Sequence, residues 1–542
     1  MQFNLNFTFR DARKVVPYLC ELGITDLYCS PFLKARPGSV HGYDICDHQA
    51  LNPELGGEVE FNALTSNLKK RRMGLVMDVV PNHMSIWETS NELWADVLEN
   101  GPSSPYAEFF DIDWHPIRGD TDLENRVLLP ILGNAYGDVL ENQQLSLTYS
   151  EGAFFVSYYE HRLPLDPQSY GDILQLALDA VKQQLDADHP HVQEMESILT
   201  AIEHLPPRAF LSLKQSMERQ REKEVIKRRL KTLYDDSLIA RMAVEEVLQS
   251  YNGNRGDPES FDRLDALLDR QVYRLADWRV AAEEINYRRF FDINDLAALR
   301  TEAPRVFAHT HELVFRLLQE GKVTGLRIDH PDGLWDPVNY FNGLQIIYLM
   351  RVSGSQRNPL HRHSRFRWNG DLELMQLLDS KPQQQKIRDE SEAALPDSIS
   401  AEHIFWPKKA PLYVVAEKIL SGDETLPHNW AVDGTTGYDF ANAVNGIFVN
   451  ESNGRAFDVV YRDFAGRDER FGDLVNNAKK MVMATSLASE INMLAHRLKR
   501  IAARSRKHRD FTLNGIAVAL RETIAALPVY RIYITESLLD PR

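Results

Sequence analysis

Residues 326–329 combine an apolar strand pattern with two charged side chains. Side chains alternate along a strand, so Arg327 and Asp329 lie on one face, opposite the face of the apolar residues. The neighbouring guanidinium favours an ionised carboxyl group and should lower the pKa of Asp329, which suits a carboxylate nucleophile. A buried structural ion pair is the competing interpretation.

A second carboxylate, Glu417, ends another apolar run at 413–416. If the two strands are neighbours in a parallel sheet they lie ~4.8 Å apart. Their carboxyl groups then approach the ~5–5.5 Å separation of retaining glycosidases, whereas inverting enzymes need a wider gap. Glu417 has less cationic help than Asp329, so a raised pKa would let it act as general acid and then base. Lys418 points to the other strand face and need not cancel this effect.

Polar and aromatic residues accompany two other predicted strand ends. Asp78, Asn82 and His83 follow the apolar run 75–80, and Tyr43 lies in a loop rich in Gly and Pro. Aromatic rings stack on the apolar faces of sugars, while amide, imidazole and carboxylate groups bind sugar hydroxyls. Taken singly, His83 is more typical of a core histidine than of a sugar-binding residue, and Tyr43 is more typical of an ordinary loop aromatic.

The elements that must position these residues alternate between helix and strand. The pattern predicts a helix from Thr8 to Gly23 with a kink at Pro17, a strand at 26–29, a helix at 58–72, and strands at 75–80, 323–329 and 412–417. Repeated units of this kind indicate a parallel sheet or barrel.

Two long segments interrupt the alternation. Residues 85–289 predict an inserted subdomain of loops and helices, with a solvated charged helical region at 214–250. Residues 441–542 predict a helical subdomain, and a Gln/Lys/Glu-rich stretch near 380–396 an exposed helix or loop. The predicted division is therefore a barrel in two parts, 1–84 and 290–440, with these two helical subdomains.

Composition excludes several classes of protein. The 542 residues are 43% hydrophobic and 26% charged, which is typical of a globular protein without membrane spans. The net charge of −16 opposes binding to nucleic acids. We expect neither nucleic acid nor a membrane as a partner.

The cysteine pattern and the first residues bear on location and cofactors. Cys20, Cys29 and Cys46 form neither a disulfide framework nor a zinc pattern, and the first ten residues lack a signal peptide pattern. A cytoplasmic location is therefore expected. His361 and His363 have no carboxylate or Cys companions at ligand spacing, so we expect no metal.

Four short segments occur in an informative order: GYD at 42–44, DVVPNH at 78–83, GLRIDH at 325–330 and VVAEKIL at 414–420. This set resembles the conserved regions of the α-amylase superfamily. Longer segments resemble, more specifically, the trehalose-forming branch of that superfamily. They lie at 30–57, 104–116, 287–300, 325–337 and 433–440. The resemblance implies a (β/α)8 barrel, of which about six strands can be placed.

The resemblance also implies residue roles, in which Asp329 is the nucleophile and Glu417 the acid/base. The other implied site residues orient the nucleophile (Arg327), stack on the sugar in the −1 subsite (Tyr43) or line that subsite (Asp78, Asn82, His83 and His330). The implied activity is intramolecular transglycosylation, which converts the reducing-end α-1,4 linkage of a maltooligosaccharide to an α,α-1,1 linkage without a cofactor. The product would pass to a trehalose-releasing hydrolase.

One expected part of the superfamily pattern is missing. We find no third carboxylate segment, since Asp439 is a poor match, and expect that carboxylate beyond Arg542. A chain of about six barrel strands is expected to be poorly soluble or nearly inactive alone. The alternatives that stay open are an α-glucan hydrolase, a 4-α-glucanotransferase and an inactive glucan-binding fragment.

Overall fold

The computed structural model describes residues 1–87, 89–116, 123–208, 212–352 and 410–534. His361, His363 and the stretch near 380–396 lie outside the described residues. Within these ranges no helix combines the length and the apolar character that a membrane span requires. Cys20, Cys29 and Cys46 form no disulfide bond.

The strands are numbered in chain order. They are β1 (Asp26–Cys29), β2 (Leu33–Ala35), β3 (Ile45–Leu51), β4 (Gly74–Val79), β5 (His83–Ser85), β6 (Val127–Leu132), β7 (Ser146–Ser150), β8 (Ala153–Tyr158), β9 (His161–Pro164), β10 (Tyr273–Asp277), β11 (Arg289–Phe290), β12 (Ile293–Ala298), β13 (Gly325–Ile328), β14 (Tyr413–Ala416) and β15 (Gly434–Thr435).

The α-helices connect and cover these strands. They span Phe9–Glu21, Gly57–Lys70, Glu92–Asn100, Tyr136–Glu141, Tyr170–Lys182, Pro190–Glu203, Leu213–Asp236, Leu238–Tyr251, Asp262–Leu268, Ala281–Glu284, Pro304–Gln319, Pro337–Val352, Tyr438–Gly446, Gly454–Ala465, Phe471–Ala484, Ala488–Ala503 and Leu513–Ala526.

The chain divides into two compact units. The first unit comprises Met1–Ser85, Leu299–Leu474 and Leu527–Arg542, and the second comprises Ile86–Ala298 and Val475–Ala526. The four-segment division stated from the sequence stays a prediction.

A five-stranded sheet in the order β1-β4-β13-β14-β15 forms the centre of the first unit, and all its strand pairs are parallel. The predicted α/β class and parallel sheet are thus confirmed. All four residues of β13 are buried, as expected for a strand covered on both faces. Within the described residues the sheet is open, with β1 and β15 at its edges.

The first helix begins as the sequence predicts. The backbone N–H and hydroxyl of Thr8 both donate to the Asp11 carboxylate, at 3.1 Å and 2.8 Å. Phe9 in this helix packs edge-on against Phe61 of the next helix, with ring centroids 5.3 Å apart. Burial of each ring contributes ~1.5–3 kcal/mol, so this contact fixes both helices beside β1 and β4.

The second unit contains short strands that the sequence analysis missed. β6 pairs with β10 in parallel, and β7, β8 and β9 form an antiparallel meander. The helix Leu213–Asp236 lies in the predicted helical region, but the expectation of a solvated charged face is wrong for Arg219 and Lys223, which are buried. Both pair with buried carboxylates, which compensates for their removal from water.

Candidate active site

Asp78, Arg327 and Asp329 form a buried ionic network on two neighbouring strands. The parallel register places Arg327 of β13 opposite Asp78 of β4. Arg327 Nη1 donates to Asp78 Oδ1 at 2.8 Å and to Asp329 Oδ1 at 2.6 Å. One guanidinium therefore serves two carboxylates.

Asp329 and Glu417 lie at adjacent positions along the carboxyl edge of the sheet. The Asp329 N–H donates to the Val79 carbonyl at 2.8 Å, and the Glu417 N–H donates to the Ile328 carbonyl at 2.9 Å. Each carboxylate thus continues the backbone ladder one residue beyond its strand. The premise that β13 and β14 are parallel neighbours is confirmed.

A second contact links the two strand ends through His330. Its backbone N–H donates to Glu417 Oε2 at 3.2 Å. The residue adopts a left-handed conformation, with φ 43° and ψ 55°. This conformation costs a non-glycine residue ~1–3 kcal/mol, so the surrounding packing must enforce it.

The pKa of Asp329 is raised to about 6, opposite to the direction expected from the sequence. Burial is the largest cause, and the negative charge of Asp78 adds to it, while Arg327 acts in the other direction. The expectation neglected burial and the second carboxylate that shares the guanidinium. The pKa of Glu417 is also raised, mainly by burial, as its proposed role as an acid requires.

Two tyrosines complete the hydrogen bonding of Asp78. Tyr28 Oη and Tyr43 Oη donate to Asp78 Oδ2 at 2.6 Å and 2.7 Å. Burial and then the Asp78 charge raise the pKa of both phenols, so both stay protonated donors. Tyr28 was missed from the sequence, although a phenol on the strand expected beside Asp78 was an available signal.

Asn82 lies beyond the end of β4, His83 is the first residue of β5, and His330 lies beyond the end of β13. Asn82 and His83 are buried, and Asn82 Nδ2 lies 3.5 Å from His83 Nδ1. Gly333 allows Asn82 and His330 to approach the loop closely, because a Cβ at position 333 would lie 2.4 Å from Asn82 Oδ1 and 2.5 Å from His330 Cδ2. Among the described residues no group of three or more His, Cys, Asp or Glu side chains could hold a metal ion.

The chain matches known proteins along most of its length. Residues 13–163 match the family model for the α-amylase catalytic domain. A putative maltooligosyl trehalose synthase of Mycobacterium tuberculosis is 29% identical over 493 residues, which cover 90% of this chain and 42% of that protein. The chain is similar to maltooligosyl trehalose synthases. This agrees with the resemblance seen in the sequence segments.

Solved maltooligosyl trehalose synthase structures give the same result. The enzyme from Arthrobacter ramosus is 27% identical with a TM-score of 0.62, and the match covers 98% of this chain and 48% of that one. The structure of DSM5389 glycosyltrehalose synthase is 26% identical with a TM-score of 0.60, covering 98% and 50%. The chain spans less than half the length of the M. tuberculosis relative.

A shorter match has a different activity in its name. An intracellular maltogenic amylase of Bacillus subtilis is 34% identical over 103 residues, or 19% of this chain and 17% of that protein.

Proposed function

We propose that this chain carries the two reacting carboxylates of an intramolecular transglycosylase. The enzyme would convert the reducing-end α-1,4 linkage of a maltooligosaccharide to an α,α-1,1 linkage. The observation that supports this most is the position of Asp329 and Glu417 at the ends of adjacent parallel strands, in a chain similar to maltooligosyl trehalose synthases over 90% of its length.

In the first step Asp329 attacks the anomeric carbon of the penultimate glucose unit, counted from the reducing end. Glu417 gives its proton to the leaving glycosidic oxygen as the carbon–oxygen bond breaks. With a pKa of about 6, Asp329 is mostly ionised at pH 7 and can act as the nucleophile. The raised pKa of Glu417 increases the fraction that holds a proton.

In the second step the released glucose stays bound and presents its own anomeric hydroxyl. Glu417 removes the hydroxyl proton, the oxygen bonds to the anomeric carbon, and Asp329 leaves as a carboxylate. Two displacements retain the configuration at that carbon. Water must be excluded during the lifetime of the glycosyl-enzyme, since it would give hydrolysis.

The neighbouring residues have supporting roles in this proposal. Arg327 orients Asp329 through its 2.6 Å hydrogen bond, and Tyr43 stacks on the sugar in the −1 subsite. The same subsite is lined by Asp78, Asn82, His83 and His330. We further propose that β1, β4, β13, β14 and β15 belong to a (β/α)8 barrel, as in the α-amylase superfamily.

Hydrolysis or 4-α-glucan transfer is the second candidate, favoured by the α-amylase domain match and the B. subtilis relative. These reactions use the same two carboxylates and differ in the molecule that attacks the intermediate. Incubation with maltopentaose separates them, because proton NMR and a reducing-end assay identify the product. We expect a non-reducing product with minor glucose. A steady rise in reducing ends would indicate hydrolysis, and binding without turnover would indicate a glucan-binding protein.

The proposed partner is a maltooligosaccharide or α-1,4-glucan, and the product would pass to a trehalose-releasing hydrolase. A cytoplasmic location is proposed as well, in line with three cysteines that form no disulfide bond.

A further inference from the structure

Lys418, the residue after Glu417, is buried beside two carboxylates that the proposed mechanism does not use. Its Nζ lies 3.3 Å from Asp332 Oδ2 and 2.9 Å from Glu424 Oε1. The Lys418 side chain is fully buried, while those of Asp332 and Glu424 are 9% and 11% exposed. Screening by solvent is weak at such a site, so these charges act strongly on one another.

The opposite side of Asp332 is held by the segment 530–534. Tyr533 Oη donates to Asp332 Oδ1. Arg531 donates to the backbone carbonyl of Asp332 and, at 3.0 Å, to that of Trp335. The Asp332 cluster, which consists of Asp332, Glu424, Lys418 and Arg531, therefore fixes the loop that follows the nucleophile.

The Asp332 cluster is electrically balanced, with two cations and two carboxylates. The other groups that act on Glu417 are the Arg327 guanidinium, the Asp329 carboxylate and the His330 N–H. The Tyr530 phenol, whose ring packs edge-on against that of His330, also lies within electrostatic reach of Glu417. Loss of the Asp332 charge would leave the cluster with one net positive charge and would remove a negative charge that acts on Glu417, which favours the ionised form of that carboxyl group.

We propose that Asp332 is a positioning residue that holds the Lys418 ammonium in a balanced cluster and thereby keeps Glu417 able to donate a proton near neutral pH. The inference rests on the proposed function, because proton donation matters only if Glu417 is the acid. Burial raises the pKa of Glu417 most, the Asp329 charge raises it further, and the Asp332 charge adds a smaller contribution in the same direction.

Carbodiimide labelling tests this without any need for turnover, because the reagent reacts with protonated carboxyl groups. The labelling of Glu417 is followed against pH by peptide mass spectrometry in the full chain. We expect Asp332→Asn to move the labelling midpoint down by about 1 pH unit. The matched control is Asp336→Asn in the same loop, where the Asp336 carboxylate accepts from the Asn339 backbone N–H at 3.0 Å and from its side-chain amide at 2.7 Å. It should leave the midpoint in place.

Two further variants separate charge from packing. Tyr533→Phe removes a hydrogen bond to Asp332 but keeps every charge. The labelling midpoint of Glu417 should therefore stay within 0.3 pH units of its value in the starting protein, which is about the shift expected from the loss of one uncharged contact. Lys418→Gln removes a cation and should move the labelling midpoint of Glu417 up. This variant provides a second test if Asp332→Asn does not fold. An unchanged midpoint in Asp332→Asn or Lys418→Gln overturns the proposal, as does an equal downward shift in Tyr533→Phe. The maltopentaose assay is read separately, so failure of the proposed function would be recognised independently.

Discussion

At the residue scale, the main feature is Arg327, whose guanidinium is shared by Asp78 and Asp329. Asp78 is held further by Tyr28 and Tyr43. Asp329 has fewer partners and its side chain is 10% exposed, against 0% for Asp78. Asp78 is therefore the carboxylate that its neighbours fix in place, and Asp329 is the one that is accessible for reaction.

We predict that Asp329→Asn and Glu417→Gln each reduce turnover of maltopentaose by at least ~10³-fold, because nucleophile and proton donor act as a unit. Both substitutions keep the shape of the side chain, so the circular dichroism spectrum should not change. Asp336→Asn is the matched control and should retain activity. Activity within tenfold of the starting protein in either variant would remove that residue from the proposed mechanism.

Gly333→Ala tests the close packing beneath the same site. The new Cβ would lie 2.4 Å from Asn82 Oδ1, so Asn82 and His330 must move. We expect a loss of ~1–3 kcal/mol in stability, measured by urea unfolding, together with weaker sugar binding. Gly343→Ala is the control. It lies in the helix Pro337–Val352, where the new Cβ would meet Phe307 at an ordinary 3.8 Å, and it should stabilise by ~0.5–1 kcal/mol.

At the element scale, the strands that carry the carboxylates of the proposed mechanism were predictable, because β4, β13 and β14 are mainly apolar and have charged residues within them or directly after them. The small sheets of the second unit were not predictable. For example, β7 reads Ser-Leu-Thr-Tyr-Ser, in which only Leu147 is buried, so its pattern differs little from that of a loop. The pairing of Lys418 with Asp332 depends on the packing of distant segments, which no local pattern records.

The helix Leu213–Asp236 offers a test of a buried ion pair against an exposed one. Lys223 Nζ lies 2.7 Å from Asp96 Oδ2 and 2.5 Å from Glu99 Oε2, and its side chain is 2% exposed. Lys223→Met leaves two buried carboxylates without this cation, and we expect a loss of ~3–5 kcal/mol in urea unfolding. Lys231 on the same helix pairs with Glu151 at the surface, so Lys231→Met should have no measurable effect.

The contact between the helices Pro304–Gln319 and Pro337–Val352 predicts sensitivity to acid. His311 Nε2 lies 2.7 Å from Tyr340 Oη, and burial lowers the pKa of His311 to about 3. The folded state therefore holds His311 neutral, while the unfolded chain binds a proton below pH 6.5. The neutral His311 therefore contributes its full stabilisation above pH 6.5. Below that pH the free energy of unfolding falls by ~1.4 kcal/mol per pH unit, down to about pH 3.

Urea midpoints at several pH values measure this effect. His311→Leu lowers stability at neutral pH, because Tyr340 loses its partner, but it should flatten the decline between pH 6.5 and 4. An equal slope in both proteins would show that His311 does not control the acid limb. His48 is buried with a pKa lowered to about 4, so part of the slope should remain in the variant.

At the scale of the whole molecule, the helices Tyr438–Gly446 and Gly454–Ala465 contain no buried residue. Phe440, Phe457 and Phe464 are 74%, 71% and 93% exposed. Clustered exposed apolar side chains are typical of surfaces that contact another protein molecule. We therefore predict concentration-dependent association in sedimentation velocity, which Phe457→Ser with Phe464→Ser should reduce. Val59→Ser, at a single 79% exposed position elsewhere, is the control. A monodisperse monomer at all concentrations would contradict the prediction.

The negative charge of Asp329 raises the pKa of Glu417 across the gap between two strand ends. In the proposed mechanism that charge disappears when Asp329 becomes an ester in the glycosyl-enzyme and returns when the ester is broken. The pKa of Glu417 is therefore highest before the first step, lower in the glycosyl-enzyme and high again after the second step, so its proton affinity falls and rises once in every turnover. The two carboxylates are thus coupled. Formation of the covalent bond at Asp329 favours the ionised form of Glu417, which can then accept the proton of the incoming hydroxyl.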